Sequence, residues 1–322
     1  MNTISLPKYE SDWLKCCVSQ PNVEQRVKRL SNTFNLPDKY EAAWLLKAVT
    51  CIDLTTLAGD DTATNVNRLC IKAVHPISNK ILSSFTNNEK EQAILGNIHT
   101  AAVCVYPARV RDAVKQLKLL NTDLPVASVA TGFPSGQYPL STRLAEIVYC
   151  INLGAREIDV VIDRSLVLAG KWEELYEEIK QMKKICGDIH LKTILAVGEC
   201  GSLENVYKAS MVAMMAGSDF IKTSTGKEAV NATLSYGLVM CRAIREFYRK
   251  TGIKVGLKPA GGLKTSKDAL LWLALIKEEL GNDWMTPSLF RIGASSLLKN
   301  IEERLYFLAF NEKIPPNYFK VP

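Results

Sequence analysis

The chain has 322 residues, of which 47% are hydrophobic and 23% charged, so it can fold around a full core and is not expected to be disordered. Lysine and arginine number 40 against 33 aspartates and glutamates, a formal charge of +7 that is spread without long runs of one sign. This mild excess argues against a nucleic-acid surface and favours a few cations directed at small anionic ligands.

The cysteines and histidines indicate a reducing compartment and no metal site. The nine cysteines show no CxxC spacing, and the first twenty residues lack the apolar centre of a signal peptide, so we expect a cytoplasmic protein. No apolar run approaches the roughly 20 residues of a membrane span. The only histidines, His75, His99 and His190, share no spacing that suggests a metal ligand set.

The order of elements along the chain predicts a (β/α)8 barrel. Residues 1–45 are polar with helical spacing and form a predicted N-terminal helical extension, with Trp13, Leu14 and Leu30 as candidate docking residues. Residues 46–310 alternate short β-branched runs with segments of helical period, as parallel strands and helices do, and we expect them to form the barrel. Residues 311–322 contain adjacent prolines and form a predicted flexible tail.

Eight runs are predicted as strands. They are AVTCIDLTTL from Ala48, TAAVCVYP from Thr100, PVASVATGFP from Pro125, EIDVVID from Glu157, HLKTILAV from His190, FIKTS from Phe220, KVGLKPAGG from Lys254 and FRIGASS from Phe290.

Five charged residues interrupt these apolar runs: Asp53, Asp159, Lys192, Lys222 and Lys258. An isolated buried charge is costly, so each of them needs a partner or a chemical role. Strands of one barrel converge, so we expect the five to meet in its interior, near the C-terminal mouth where active sites of this architecture lie.

Lys222 and Lys258 lie on consecutive predicted strands, about 5 Å apart if the strands are neighbours. Burial and a nearby cation both favour the neutral amine, which attacks carbonyl carbons, so Lys222 is the candidate nucleophile and Lys258 the candidate cation. The alternative is that both lysines are structural, with their ammonium groups paired with acids.

Asp159 is the candidate acid for proton transfer, with a structural ion pair as the alternative. Asp163, nearer the end of the same run, is more simply a cap for the following loop. Cys104 either lines the pocket or fills space as a small buried residue, and the second reading is the commoner fate of a cysteine.

Three turns rich in glycine, serine or threonine follow the last three strands: the TSTGK turn (Thr223–Lys227), the AGG turn (Ala260–Gly262) and the GASS turn (Gly293–Ser296). Glycine lets backbone N–H groups approach an anion, and the start of a helix behind them adds a favourable dipole. We therefore expect a phosphate site here, although each turn alone is also ordinary loop chemistry. A nucleotide P-loop does not fit the TSTGK turn, because Ile221 and Glu228 stand where it needs glycine and serine or threonine.

The motifs DLTTL, AAVCVYP, EIDVV, FIKTSTGK, KPAGG and RIGASS, in this order over about residues 48–300, resemble those of the deoxyribose-phosphate aldolase family. The resemblance implies a lyase that reversibly cleaves 2-deoxy-D-ribose 5-phosphate to D-glyceraldehyde 3-phosphate and acetaldehyde, in deoxyribonucleoside catabolism. It implies no metal or organic cofactor. Members often form dimers or larger assemblies, so a homo-oligomer is compatible with it.

The resemblance also implies roles for individual residues. Lys222 forms the Schiff base, Lys258 lowers its pKa, and Asp159 works with Lys258 in proton transfer. The substrate pocket is expected to include Asp53, Cys104 and Thr225. The phosphate-binding residues are expected to be Gly226, Lys227, Gly261, Gly262, Gly293, Ser295 and Ser296. In some members a C-terminal tyrosine reaches the site. This sequence departs from that pattern, because Tyr318 lies four residues before the end, and we do not assign that role to it.

Two other functions stay open from the residues alone. A sugar-phosphate isomerase or epimerase would use the same turns with a carboxylate or histidine base. A non-catalytic scaffold would contact partners through the N-terminal extension and would not need two buried lysines and Asp159 together.

Overall fold

The computed structural model of the chain describes residues 7–316 and residue 318, apart from the side chain of Lys39. Within these residues lie eight strands: β1 (Ile52–Thr55), β2 (Ala102–Val105), β3 (Val126–Ala130), β4 (Glu157–Val161), β5 (His190–Ile194), β6 (Phe220–Lys222), β7 (Gly256–Lys258) and β8 (Ile292–Ala294).

The α-helices of the same residues are α1 (Gln20–Thr33), α2 (Asp38–Thr50), α3 (Ala63–Val74), α4 (Asn79–Ser84), α5 (Glu89–Gly96), α6 (Val110–Leu119), α7 (Leu140–Asn152), α8 (Arg164–Leu168), α9 (Trp172–Cys186), α10 (Leu203–Met215), α11 (Leu234–Thr251), α12 (Ser266–Glu279) and α13 (Leu297–Phe310). Short 3₁₀ helices lie at Ser11–Leu14, Pro107–Arg109, Val197–Glu199 and Asn282–Trp284.

The eight strands form a closed parallel barrel. Neighbours along the sheet run β7-β6-β5-β4-β3-β2-β1-β8, and parallel bridges from Leu257 to Phe290 and from Ala260 to Gly293 join β7 to β8. Every strand lies inside one of the eight predicted runs, and helices separate the strands. The predicted (β/α)8 fold is confirmed.

The helices bury one face against the barrel, as their sequence period predicts. In α9 the side chains of Leu175, Ile179 and Met182 are fully buried, while its first turn carries Glu173 and Glu174, which suit the positive end of the helix dipole. The strands themselves are buried on nearly every residue, because helices cover one face and the barrel interior covers the other.

The N-terminal helices pack on the outside of the barrel. Leu14 and Leu30 are buried, and the Trp13 ring meets Phe247 of α11 edge-on at 6.2 Å between centroids. Helix α2 continues through the predicted boundary between residues 45 and 46 and ends directly before β1. The division into an extension and a barrel stays a prediction.

Part of the predicted tail lies outside the described residues, namely 317 and 319–322. The Tyr318 hydroxyl is hydrogen-bonded to Ser78, and its ring lies 5.2 Å from that of Tyr306 on α13. Tyr318 is not among the residues that line the cavity described below. The flexibility of residues 311–322 stays a prediction.

No helix in the described part of the chain combines the length and the apolar character that a membrane crossing requires.

Candidate active site

A cavity of about 380 Å³ opens at the C-terminal mouth of the barrel, over the ends of β1, β6, β7 and β8. This volume lies in the range that small-ligand sites occupy. The lining residues are Thr55, Thr56, Leu57, Ala58, Lys222, Thr225, Gly226, Lys227, Ala260, Gly261, Gly262, Leu263, Lys264, Gly293, Ala294, Ser295 and Ser296. All the predicted phosphate-binding residues are in this set, together with Lys222 and Thr225. The sequence did not predict that Lys264, or the segment directly after β1, lines the cavity.

Lys222 lies at the floor of this cavity, at the last position of β6, and is 2% exposed. The register of β6 and β7 places it directly beside Lys258, as the sequence predicts. Its Nζ donates a hydrogen bond to Asp159 Oδ2 at 2.8 Å. Of the three lysines in the barrel interior, Lys222 alone is among the residues that line the cavity.

Asp159 links all three interior lysines. Its Oδ2 also accepts from Lys258 Nζ at 2.7 Å, and its Oδ1 accepts from Lys192 Nζ at 3.0 Å. Lys258 forms a further ion pair with Asp53. The five charged residues predicted to meet in the interior therefore do so, but Asp53, Asp159, Lys192 and Lys258 lie beneath the cavity and are fully buried.

Two more charged residues complete this interior cluster and were not identified from the sequence. Arg291, just before β8, donates to Asp53 Oδ1 at 2.7 Å and to Glu157 Oε1 at 2.8 Å. Glu157 also accepts a hydrogen bond from Lys192. A signal for Glu157 was present, since it precedes Asp159 by two residues on one strand and so faces the same side.

The cluster contains four basic groups and three carboxylates. If every group were charged, the barrel interior would hold one uncompensated positive charge, and an unpaired buried charge is costly. One neutral lysine removes this imbalance. The basic groups are Lys192, Lys222, Lys258 and Arg291, and the carboxylates are Asp53, Glu157 and Asp159.

Lys222 is the lysine whose environment favours the neutral form. Burial lowers its pKa, Asp159 opposes this, and the Lys258 cation lowers it further, so that the net shift is downward. Burial also acts against the charged forms of Lys258 and Lys192, but the carboxylates around them outweigh it and raise both pKa values. The pKa of Asp159 lies well below its ordinary value, because the three lysines outweigh the effect of burial.

Cys104 lies inside the barrel in a small apolar cluster with Ala127 and Val129, against which Tyr106 and Phe133 pack. It is fully buried, and burial raises the pKa of its thiol. Neither Cys104 nor Asp53 is among the cavity-lining residues. Their assignment to the substrate pocket stays a prediction, and the surroundings of Cys104 fit the space-filling alternative.

The AGG and GASS turns line the cavity with glycine backbone. Gly261 and Gly262 have φ values of +81° and +85°, a backbone conformation that residues with a side chain rarely adopt. Gly293 also has no room for a side chain, because a Cβ there would lie 2.9 Å from the Cβ of Ala260. Helix α13 begins directly behind the GASS turn, and the side chain of Ser296 makes no capping hydrogen bond to it. The first N–H groups of α13 therefore remain for an anion.

The TSTGK turn differs from the sequence-based expectation, because two of the N–H groups expected to face a phosphate are hydrogen-bonded within the loop. Its Thr225 N–H donates to Glu228 Oε1 at 3.0 Å, and its Gly226 N–H donates to Glu228 Oε2 at 3.1 Å. These two N–H groups are bound by a carboxylate of the same loop. The turn contributes Lys227, an exposed cation, to the rim of the cavity.

Metal chemistry finds no support in the described residues, where no group of three or more His, Cys, Asp or Glu side chains could hold an ion. His75, His99 and His190 are all exposed and lie outside the cavity. Asp163 caps α8 by accepting from the Ser165 N–H at 2.8 Å, as the sequence predicts.

The chain was compared with known proteins. Residues 47–300 match the model of the DeoC/LacD family aldolases. The deoxyribose-phosphate aldolases of Bos taurus and Homo sapiens are 60% and 59% identical over 295 residues, with 91% of each chain covered. The structure of the tetrameric deoxyribose phosphate aldolase from Aeropyrum pernix superposes with a TM-score of 0.59 at 20% identity, covering 89% of this chain and 98% of that one. At 20% identity, the similarity to the Aeropyrum pernix structure shows the fold alone.

Proposed function

Because the chain belongs to the DeoC/LacD aldolase family, we propose that it cleaves 2-deoxy-D-ribose 5-phosphate reversibly to D-glyceraldehyde 3-phosphate and acetaldehyde, with Lys222 as the nucleophile. The observation that carries the proposal is the position of Lys222. It is the interior lysine at the cavity floor, and burial beside a second lysine lowers its pKa.

The first step is attack by the neutral Lys222 amine on C1 of the open-chain sugar. The carbinolamine loses water and becomes an iminium ion, which is covalently bound to Nζ. Asp159 accepts hydrogen bonds from both Lys222 and Lys258, so protons pass between the reacting nitrogen and Lys258 across one carboxylate oxygen.

The iminium ion then serves as the electron sink for cleavage. Asp159 accepts the proton of the C3 hydroxyl, the C2–C3 bond breaks, and its electron pair moves to C2 and into the iminium group to give an enamine, to which the same carboxyl group later returns the proton at C2. D-Glyceraldehyde 3-phosphate leaves. Protonation of the enamine at C2 and hydrolysis release acetaldehyde and restore Lys222.

The phosphate group fits the other end of the cavity. The AGG and GASS turns, the start of α13 and the exposed Lys227 surround it with N–H groups and positive charge. Binding energy at this end holds C1 near Lys222 and so promotes reaction by proximity.

Trapping of the iminium ion tests the proposal. The protein is incubated with 2-deoxyribose 5-phosphate and borohydride, and the modified peptide is mapped by mass spectrometry. We expect the reduced adduct on Lys222 and its loss, with turnover, in Lys222→Ala. An adduct on Lys258 would keep the reaction class and reverse the two lysine roles. A folded protein without any adduct would contradict the Schiff-base mechanism.

The two alternative functions are not favoured. An isomerase or epimerase needs a carboxylate or histidine as base at the substrate, but no Asp, Glu or His is among the described residues that line the cavity. A scaffold gives no reason to bury three lysines and an arginine in the barrel. Lys222→Ala separates these readings, since it should abolish turnover and leave scaffold binding intact.

Localisation and partners remain inferences from the sequence. Every cysteine, from Cys16 to Cys241, is free of disulfide bonds, which supports a reducing compartment and the proposed cytoplasmic location. The absence of long runs of like charge in the sequence supports a function without nucleic acid. A homo-oligomer remains compatible with the family, and the deoxyribose phosphate aldolase from Aeropyrum pernix is tetrameric.

A further inference from the structure

We propose that Glu228 is a positioning residue for the phosphate end of the substrate. Its carboxylate fixes the TSTGK turn from behind, so that the turn and Lys227 are already ordered over the cavity before a phosphate arrives. The inference rests on the proposed function for the identity of the substrate, and it adds a residue to which no sequence motif assigned a role.

The contacts of Glu228 set it apart from a surface acid. Both of its carboxylate oxygens accept from Thr225 N–H, at 3.0 and 3.1 Å, and one also accepts from Gly226 N–H at 3.1 Å. Its backbone carbonyl accepts from the Asn231 side chain at 2.7 Å. Glu228 thus ties the start of this loop to its end, yet it is not among the residues that line the cavity.

The same contacts connect two of the turns. The Asn231 side-chain oxygen lies only 2.6 Å from the point that a Cβ on Gly261 would occupy, so the loop after β6 packs directly on the AGG turn. The positions of the TSTGK and AGG turns therefore depend on one another through Asn231 and Glu228.

The position of Lys222 does not depend on these contacts of Glu228 and Asn231. The next residue, Thr223, donates its N–H to the Lys258 carbonyl at 3.0 Å, and its hydroxyl exchanges hydrogen bonds with the backbone of Ala260 at 3.0 and 3.2 Å. The end of β6 is thus anchored to β7 without Glu228. Removal of the carboxylate should loosen residues 224–230 and leave the reacting lysine in place.

The consequence is a selective effect on phosphate affinity. Without Glu228, the N–H groups of Thr225 and Gly226 lose their acceptor, and Gly226, at φ +87°, no longer has a bond that favours this conformation. The turn must then be ordered when phosphate binds, and that ordering weakens binding. Affinity falls, whereas the chemistry at Lys222 does not change.

The test compares Glu228→Ala, Glu228→Gln and the control Glu199→Ala with the unchanged protein, using 2-deoxyribose 5-phosphate and 2-deoxyribose as substrates. Glu199 is a suitable control because it lies on a neighbouring mouth loop, is 45% exposed and pairs with Arg164. For Glu228→Ala we expect KM for the phosphorylated sugar to rise about tenfold, with kcat and the kinetics of 2-deoxyribose nearly unchanged.

Glu228→Gln should restore most of the affinity, because an amide oxygen still accepts from the turn, and Glu199→Ala should behave as the unchanged protein. An equal loss with both substrates would reduce Glu228 to a general structural role and overturn the proposal. An unchanged KM for the phosphorylated sugar in Glu228→Ala would also overturn the proposal. A lower KM would overturn it as well and would mean that the carboxylate repels the phosphate.

Binding of inorganic phosphate, measured by titration calorimetry on the same proteins, separates this inference from the proposed function. If the unchanged protein cleaves neither sugar, the proposed function fails, but a roughly tenfold weaker Kd in Glu228→Ala still supports the role of Glu228. An unchanged Kd in that variant overturns it.

Discussion

At the scale of single residues, Lys222 and Lys258 share one carboxylate oxygen of Asp159. With both lysines present, the interior cluster has one more basic group than it has acids, and Lys222 is the lysine that gives up its proton, because its pKa is lowered whereas those of Lys192 and Lys258 are raised. The reactivity of Lys222 therefore depends on the positive charge of its neighbour as well as on burial.

Replacement of Lys258 by methionine should make Lys222 more basic. The variant leaves three basic groups and three carboxylates, so a protonated Lys222 now balances the cluster and its pKa rises. We expect iminium formation, measured as the rate of adduct trapping by cyanoborohydride, to fall at least about tenfold near pH 7 and to recover as pH increases.

The control for this experiment is Lys183→Met, which removes a lysine that pairs with Asp219 and lies outside the interior cluster. It should retain the trapping rate and pH profile of the unchanged protein. If Lys258→Met shows a profile parallel to the unchanged protein, the charge of Lys258 does not control Lys222.

The sequence identified those site residues that stand out from their surroundings. Lys222, Lys258 and Asp159 are charged residues inside apolar runs, which is a rare pattern with a physical cost. Glu157 and Arg291 lie at the edges of such runs, where charged residues are ordinary. The spacing of Glu157 from Asp159 was a signal that the two share a face of one strand, whereas only the closed barrel shows that Arg291 is buried. Glu228 had no signal, because its contacts depend on the path of a loop.

At the scale of secondary structure, each predicted run contains a strand and is longer than that strand. The strand β6 ends at Lys222 and β7 at Lys258, where the runs continue into the TSTGK and AGG turns. Thr223 and Ser224 follow β6, and Pro259 and Ala260 follow β7. Residues of this size also occur within strands, so the pattern located the strands and not their ends.

Helix faces show a similar limit. The spacing of apolar residues in α7 predicts a buried face that includes Ile147 and Val148, and the structure buries Ile147 fully but leaves Val148 43% exposed. The apolar stripe is wider than the surface that the barrel covers. Periodicity therefore predicts the direction of a helix face but not which residues at its margin lose contact with water.

Glycine at a helix contact gives a prediction at this scale. Gly237 of α11 faces Trp272 of α12, and a Cβ there would lie 2.3 Å from the indole ring. Gly237→Ala should lower the free energy of unfolding by about 1–3 kcal/mol, because the clash outweighs the better helix propensity of alanine. Urea denaturation followed by circular dichroism measures this.

The matched control is Gly96→Ala at the end of α5, where a Cβ would meet nothing within 4 Å. This variant should be neutral or up to about 1 kcal/mol more stable than the unchanged protein. A Gly237→Ala variant of equal or greater stability would mean that α11 and α12 separate at little cost.

At the scale of the whole molecule, closure of the barrel brings together charges that are distant in the sequence. Asp53 and Arg291, hydrogen-bonded at 2.7 Å, are 238 residues apart, and they meet because β8 pairs with β1. Sequence patterns indicate that such charges need partners but not which partners they find. The pairing therefore follows from the topology, and the topology followed from the order of strands and helices.

The interior cluster should make the folded molecule sensitive to acid. The cations outweigh the effect of burial and hold the pKa values of Asp53, Glu157 and Asp159 below their ordinary values. The stabilisation is fully present above the unfolded pKa of about 4 and is lost as pH falls toward the folded values, because the unfolded chain then binds protons that the folded one does not.

Each of these carboxylates contributes a slope of up to about 1.4 kcal/mol per pH unit below pH 4, so the three together give up to about 4 kcal/mol per unit. Asp53→Asn should lower the free energy of unfolding at pH 7 by about 3–5 kcal/mol, since it removes a carboxylate that pairs with both Lys258 and Arg291 and leaves only Glu157 and Asp159 to balance the buried cations. It should also reduce the acid slope by about one third.

Urea denaturation between pH 2.5 and 7 measures both effects. Glu312→Gln is the control, because Glu312 is exposed and the variant should retain the slope of the unchanged protein. An unaltered slope in Asp53→Asn would show that this carboxylate is protonated in the folded barrel, and the charge balance that leaves Lys222 neutral would then be wrong.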